Sequence, residues 1–134
     1  MTWDEVKDHA RTLQISAAGS TWLRCGAEEH TICLRLKEPA GRPVVICLEV
    51  LVAVCAEKLL DHRAALRIGT ALSAGALVLE GNTYVLRQLM PLASASRADL
   101  AGTLTYLGRV ASVLRRRAAA NGAGIGGCFT WCSE

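Results

Sequence analysis

Apolar positions along the chain switch between two rhythms, and the switches predict its elements. Trp3, Val6, Ala10 and Leu13 share one face at helical spacing while Asp4, Lys7, Asp8 and Arg11 face away. Thr2 with Glu5 makes a capping box, so a first helix is expected over about residues 2–13. Ala17, Ala18 and Gly19 are expected to break it. From Ser20 the period is two. Residues 21–25 read as a strand, 26–29 as a turn and 31–37 as a second strand, with Ile32, Leu34 and Leu36 on one face and Cys33, Arg35 and Lys37 on the other. After the breakers Pro39, Gly41 and Pro43, an unbroken alternate row of Val44, Ile46, Leu48, Val50, Val52 and Val54 predicts the longest and most buried strand. Residues 57–72, with Leu59, Leu60, Leu66, Ile68 and Leu72, read as a second helix that Gly69 weakens. Residues 76–80 and 83–90 flank Gly81 and Asn82 and read as a tight hairpin. Past Pro91, Ser96 and Asp99 form a second capping pattern. Leu100, Leu104, Leu107, Ala111 and Leu114 then step by four, three, four and three, which predicts a third helix over 97–119.

The expected fold is therefore α+β: helix, three antiparallel strands, helix, two-strand hairpin, helix, as a twisted antiparallel sheet packed with helices. Residues 1–119 form the domain, and the Gly-rich, aperiodic 120–134 form a flexible tail. The 134-residue length suits one domain, and with 51% hydrophobic but only 4% aromatic residues its core is built from Leu, Val, Ile and Ala. That composition suits helices on a sheet better than an aromatic-lined cofactor pocket, and no cofactor is expected. The net charge of +3 is localised, because residues 1–96 are balanced and the excess comes from Arg97, Arg109, Arg115, Arg116 and Arg117. Cations in the last turn of a helix complement its dipole, and no basic stripe interleaves with aromatics elsewhere, so nucleic acid is not the expected partner.

Residues 1–13 carry Asp4, Glu5 and Asp8 and no apolar core, unlike a signal peptide. The run 44–56 is interrupted by Glu49 and is too short to span a bilayer, so a soluble protein of a reducing compartment is expected. The six cysteines are then read as reduced, with Cys25, Cys33, Cys47 and Cys55 buried in apolar runs. Chemistry-bearing motifs are sparse. Gly122, Gly124 and Gly127 spell G-x-G-x-x-G without the strand and helix that a dinucleotide site needs, and Cys128 with Cys132 is a C-x3-C pair without a nearby histidine. Cys25, His30 and Cys33 raise a metal question but lack a fourth ligand. His9 and His62 read as solvated, and neither a G-x-S-x-G elbow nor an H-E-x-x-H pair occurs. No metal site and no catalysis are expected. Trp3 is divided between core and partner contact. Trp22 alternates with Leu23, so one of the two must face away from the core.

The element order, and the close of the hairpin in Leu86-Arg87-Gln88-Leu89-Met90-Pro91-Leu92 before the last amphipathic helix, resemble the class I type III secretion chaperones, the Tir chaperone-like family, over about residues 2–117. The resemblance implies a homodimer formed through the second helix and the fourth expected strand, here Leu66, Ile68, Leu72, Leu77 and Leu79. It also implies a cytoplasmic chaperone of a Gram-negative bacterium that binds the N-terminal segment of a secreted effector in extended form. The grooves would be lined by Trp3, Val6, Leu13, Trp22, Ile32 and Leu34. The rival is a small adaptor using its basic third helix to touch an acidic partner or nucleic acid. Family members are usually acidic, and this chain departs from them in its charge and in its cysteine-bearing tail.

Overall fold

The structure, a computed structural model, describes residues 1–53 and 62–120; the side chains of 53, 62–66 and 117–120 fall outside the description. Among the described residues three helices, α1 (Trp3–Arg11), α2 (His62–Ala71) and α3 (Arg97–Ala120), combine with six strands. The strands are β1 (Ile15–Ala18), β2 (Trp22–Ala27), β3 (His30–Lys37), β4 (Val45–Ala53), β5 (Ala76–Glu80) and β6 (Thr83–Pro91). They form one antiparallel sheet in the order β1-β2-β3-β4-β6-β5. The α+β class is as expected, with one strand more than the hydrophobic pattern predicts.

That extra strand corrects the reading of Ala17 and Ala18 as a mere break. The chain leaves α1 and turns at Gly19, whose amide donates to the Trp22 carbonyl at 2.8 Å, and so Ile15–Ala18 lies along β2. It is an edge strand of small, mostly exposed residues, so no alternation of apolar side chains marks it.

Both long-range helices begin where their caps dictate. The Thr2 hydroxyl accepts from the Glu5 amide at 3.2 Å and the Glu5 carboxylate accepts from the Thr2 amide at 2.6 Å. Ser96 and Asp99 repeat the arrangement at the start of α3, at 3.1 and 2.8 Å. The α3 stripe of Leu100, Leu104, Leu107, Ala111 and Leu114 is buried as its spacing requires, together with Val6 and Ala10 of α1. Against them lies the inward face of the sheet: Leu23 and Cys25 of β2, Ile32 and Leu34 of β3, Ile46, Leu48, Val50 and Val52 of β4, and Leu86 and Met90 of β6. Register places these in cross-strand rows such as Cys25, Ile32, Val50, Leu86 and Leu77.

Two connections matter for function. β4 and β5 both run antiparallel to β6, which lies between them, so they are parallel to each other. A parallel connection must cross over the sheet and cannot be a tight turn. The crossover contains α2, and Ile68 of that helix and Leu72 just after it pack against the core cluster. The hairpin β5–β6 then closes at Gly81, with φ of 61°, a conformation that Gly takes without steric cost. Among the described residues no helix is long and apolar enough to cross a membrane.

Candidate binding surfaces

One groove opens where α1 and α3 meet the β2–β3 turn. Glu28 and Glu29 form that turn with φ of 49° and 67°, the left-handed geometry of a two-residue hairpin that usually selects Asn-Gly. Placing two glutamates there costs conformational energy that surrounding contacts must offset. Those contacts come from α3. Gly108 lies so close to the turn that an added Cβ would stand 2.6 Å from the Glu28 Cβ and 3.0 Å from the Ala27 carbonyl oxygen. Beside this contact a cavity of about 240 Å³ is lined by His9, Leu13, Ala27, Glu28, Leu104 and Thr105. A neighbouring recess of about 400 Å³ shares Leu13, Ala27 and Glu28 and extends to Gln14, Glu29 and His30. The shared walls make one apolar furrow with an acidic lip.

His30 sits beneath that lip, almost buried, with Nε2 at 2.6 Å from the Ser112 hydroxyl of α3. Burial, and secondly the positive charge of Arg115, hold its pKa below the usual 6.5, while Glu29 and Glu28 pull the other way. The imidazole is therefore neutral at pH 7. A hydroxyl beside an imidazole is the first half of a nucleophilic pair, which needs a third group to orient the base. His30 Nδ1 is buried with no hydrogen-bond partner among the described residues, so the pair reads as a tie between β3 and α3.

The outward face of the sheet is different in kind. Across its middle run Arg24, Cys33, Glu49, Arg87 and Ala76, one from each of five strands. Arg87 donates to Glu49 at 3.1 Å and to Glu80, while the Cys47 thiol donates to Glu49 at 3.3 Å. Glu49 is only 2% exposed. The Arg87 pKa is raised: burial works against the charge, but the hydrogen bond and charge of Glu49, and then Glu80, outweigh it. Burial pushes the thiols of Cys25 and Cys47 up to about 11, in Cys47 helped by the Glu49 charge, so both stay protonated and unreactive at neutral pH. On the same face Trp22 is half-buried, with the Arg24 guanidinium 5.3 Å from its ring centroid.

The cysteine expectation needs one correction. Cys25 and Cys47 are free thiols, but Cys33 is disulfide-bonded. Nor do Cys25 and Cys33 converge on a metal. Cys25 pairs with Ile32 on the inward face, whereas Cys33 pairs with Arg24 on the outward one. Among the described residues no three His, Cys, Asp or Glu side chains come together as a metal site.

The residues expected to line a groove scatter. Val6, Ile32 and Leu34 are fully buried between helices and sheet and offer no surface. Helical and strand periodicity identified them as apolar but could not say which apolar face stays open. Leu13 lines the furrow, and Trp22 stands on the outward face, opposite the buried Leu23. Trp3 packs half-buried against the core while its indole N–H donates to the Ser20 carbonyl at 3.0 Å, tying α1 to the β1–β2 turn. Of the residues expected at a dimer contact, Ile68, Leu72 and Leu77 are half-buried beside the core, Leu79 is 43% exposed on β5, and the Leu66 side chain lies outside the description. Cys55, Cys128, Trp131, Cys132 and the expected 120–134 tail lie almost wholly outside it as well. Glu28, Glu29 and His30 were missed as furrow residues, since nothing local in the sequence marks a turn that docks on a helix.

The basic end of α3 is partly committed. Arg115 donates to the Leu51 carbonyl through Nε at 3.0 Å and Nη2 at 2.6 Å, which ties the helix to the end of β4. No protein-family model matches the chain, and a search of curated proteins finds none similar to it.

Proposed function

We propose that the chain is a non-catalytic chaperone that resembles the class I type III secretion chaperones, working as a homodimer in the cytoplasm of a Gram-negative bacterium. It holds the N-terminal segment of a secreted effector in extended form. The observation that carries this reading is the open end of the sheet at β5. There an edge strand with the exposed Leu79 lies beside the crossover helix, and among the described residues no further strand pairs with it. A second copy related by a two-fold axis covers β5 and α2 with the same elements, because a two-fold interface is self-complementary. Leu79, Leu77 and Leu72 are its expected contacts.

At the other end of the sheet no strand pairs with the outer edge of β1 among the described residues, Ile15 is exposed there, and the acidic-lipped furrow opens close by, with Gln14 in its wall. An extended client adds a strand to β1 and seats an apolar side chain against Leu13; backbone hydrogen bonds supply affinity and the furrow supplies selectivity. The acidic lip favours a client with a lysine or arginine next to that side chain. The reading of α3 as a nucleic-acid contact draws less support, since Arg115 is spent on Leu51.

Light scattering at micromolar concentration tests the dimer: twice the chain mass is expected for the wild type and a single chain mass for Leu79→Lys. A monomeric wild type overturns the reading. Co-purification from the native host then tests the client, with one secreted protein's N-terminal segment expected and its loss expected on Leu13→Asp.

A further inference from the structure

Glu28 and Glu29 hold positive φ at the β2–β3 turn, and among the described residues neither carboxylate makes an ion pair or a hydrogen bond. The recess of about 400 Å³ that they border is also lined by Gln14, Thr31 and His30. His30 is only 9% exposed, and its Nδ1 is buried without a hydrogen-bond partner, whereas its Nε2 is held by Ser112. A buried polar atom is costly to leave unmet, so a group that enters the recess and reaches Nδ1 gains by doing so.

Charge narrows the class of that group. No lysine or arginine is among the residues that line the furrow. Arg115, the cation that acts on His30, is tied to the Leu51 carbonyl instead. The recess therefore favours a cation. With Nε2–H donating to the Ser112 oxygen, Nδ1 presents a lone pair, and the acceptors on offer are a neutral imidazole and the carboxylates at the mouth. A guanidinium has five N–H donors in one plane, enough to meet a carboxylate with two of them and a ring nitrogen with a third. It also stays charged when half-desolvated and is more weakly hydrated than an ammonium. The neighbouring cavity of about 240 Å³ shares Leu13, Ala27 and Glu28 with this recess and adds Ala101 and Leu104 of α3, an apolar seat. Side chains two residues apart on an extended peptide share a face and stand about 7 Å apart, so one strand can fill both.

We propose that the furrow reads arginine: its acidic recess takes the guanidinium of an extended peptide, and the adjoining cavity takes an apolar side chain two residues away. A glutamate of the lip accepts two parallel N–H bonds from the guanidinium, and His30 Nδ1 accepts a third. This inference rests on the client reading above and adds which client residue the furrow selects.

NMR titration of the full chain with the peptide acetyl-Ser-Thr-Leu-Thr-Arg-Thr-Leu-Ser-amide tests it. Saturable shifts are expected at the His30 ring nitrogens and at the amides of Gly26 and Thr31. Citrulline in place of the arginine keeps the shape and loses the charge, and should weaken binding about tenfold. Lysine in its place should weaken binding severalfold. N-acetyl-arginine amide offers the guanidinium without strand or leucine and should bind more weakly than the peptide; equal binding would overturn the peptide as ligand. The Glu28→Gln/Glu29→Gln variant changes only exposed side chains, and circular dichroism checks its fold. It should bind the arginine and citrulline peptides equally. Equal affinities in the wild type, or no shift at His30, overturn the proposal. If that happens while a secreted protein's N-terminal segment still co-purifies, the arginine site falls and the chaperone reading stands. The expected peptide binding with no co-purifying client removes the secretion reading alone.

Discussion

Two glycines of α3 have opposite worth, and the difference lies in what surrounds them. A Cβ on Gly102 meets nothing within 4 Å, so Gly102→Ala removes only the entropic penalty of glycine in a helix and should stabilise the fold by about 0.5–1 kcal/mol. Gly108→Ala makes the same gain in helix propensity but drives a methyl into the Glu28 Cβ and the Ala27 carbonyl. Overpacking of that kind costs about 1–3 kcal/mol, so the net change should be destabilising. Urea denaturation of the two variants checks the sign of each; equal effects would mean that the β2–β3 turn does not bear on the helix. His30 supplies a pH dependence at the same contact. Its folded pKa lies below the ordinary 6.5, so the unfolded chain takes up the proton first as pH falls. The stabilisation is complete above pH 6.5 and is lost as pH falls from there through the folded value. Urea midpoints measured between pH 7.5 and 5 should therefore decline more steeply for the wild type than for His30→Gln, since only the wild type has a buried imidazole to charge.

Among the elements, the outward row across β4 and β6 carries the largest electrostatic stake. Glu49 is buried and Arg87 is its cationic partner, so Arg87→Leu strands a carboxylate in the sheet and should cost about 3–5 kcal/mol. The double variant Glu49→Leu/Arg87→Leu removes both charges and should recover most of that loss, which thermal unfolding of the three proteins would show; a double variant no better than the single would mean that the pair is not electrostatically coupled. This row also marks where reading the sequence succeeds and where it stops. Period-two alternation in 31–37 and 44–54, the Gly-Asn hairpin and the four-three spacing of α3 are local signals, and each element forms about where its signal lies. β1 escapes because an exposed edge of Ile, Ser and Ala satisfies backbone pairing without a buried face. Candidate surface residues fare worse than elements. Val6, Ile32 and Leu34 differ from Leu13 only in what packs over them, and that is settled by register and helix docking across distant parts of the chain.

At the scale of the whole molecule, the strand order separates contacts that close early from one that closes late. β1 to β4 form a meander in which each strand pairs with the one before it, whereas among the described residues β5 pairs with β6 alone, and β6 reaches β4 across the whole α2 excursion. Hydrogen–deuterium exchange of the purified chain should therefore show two tiers. Amides of β3, β4 and β6 should exchange only on global unfolding, while those of β5 should exchange through a smaller opening at lower free energy. Equal protection in both tiers would mean that the sheet opens as one unit. Among the described residues β5 is held in the sheet through β6 alone, so it is the strand expected to leave first, while the β1–β4 meander keeps its shape.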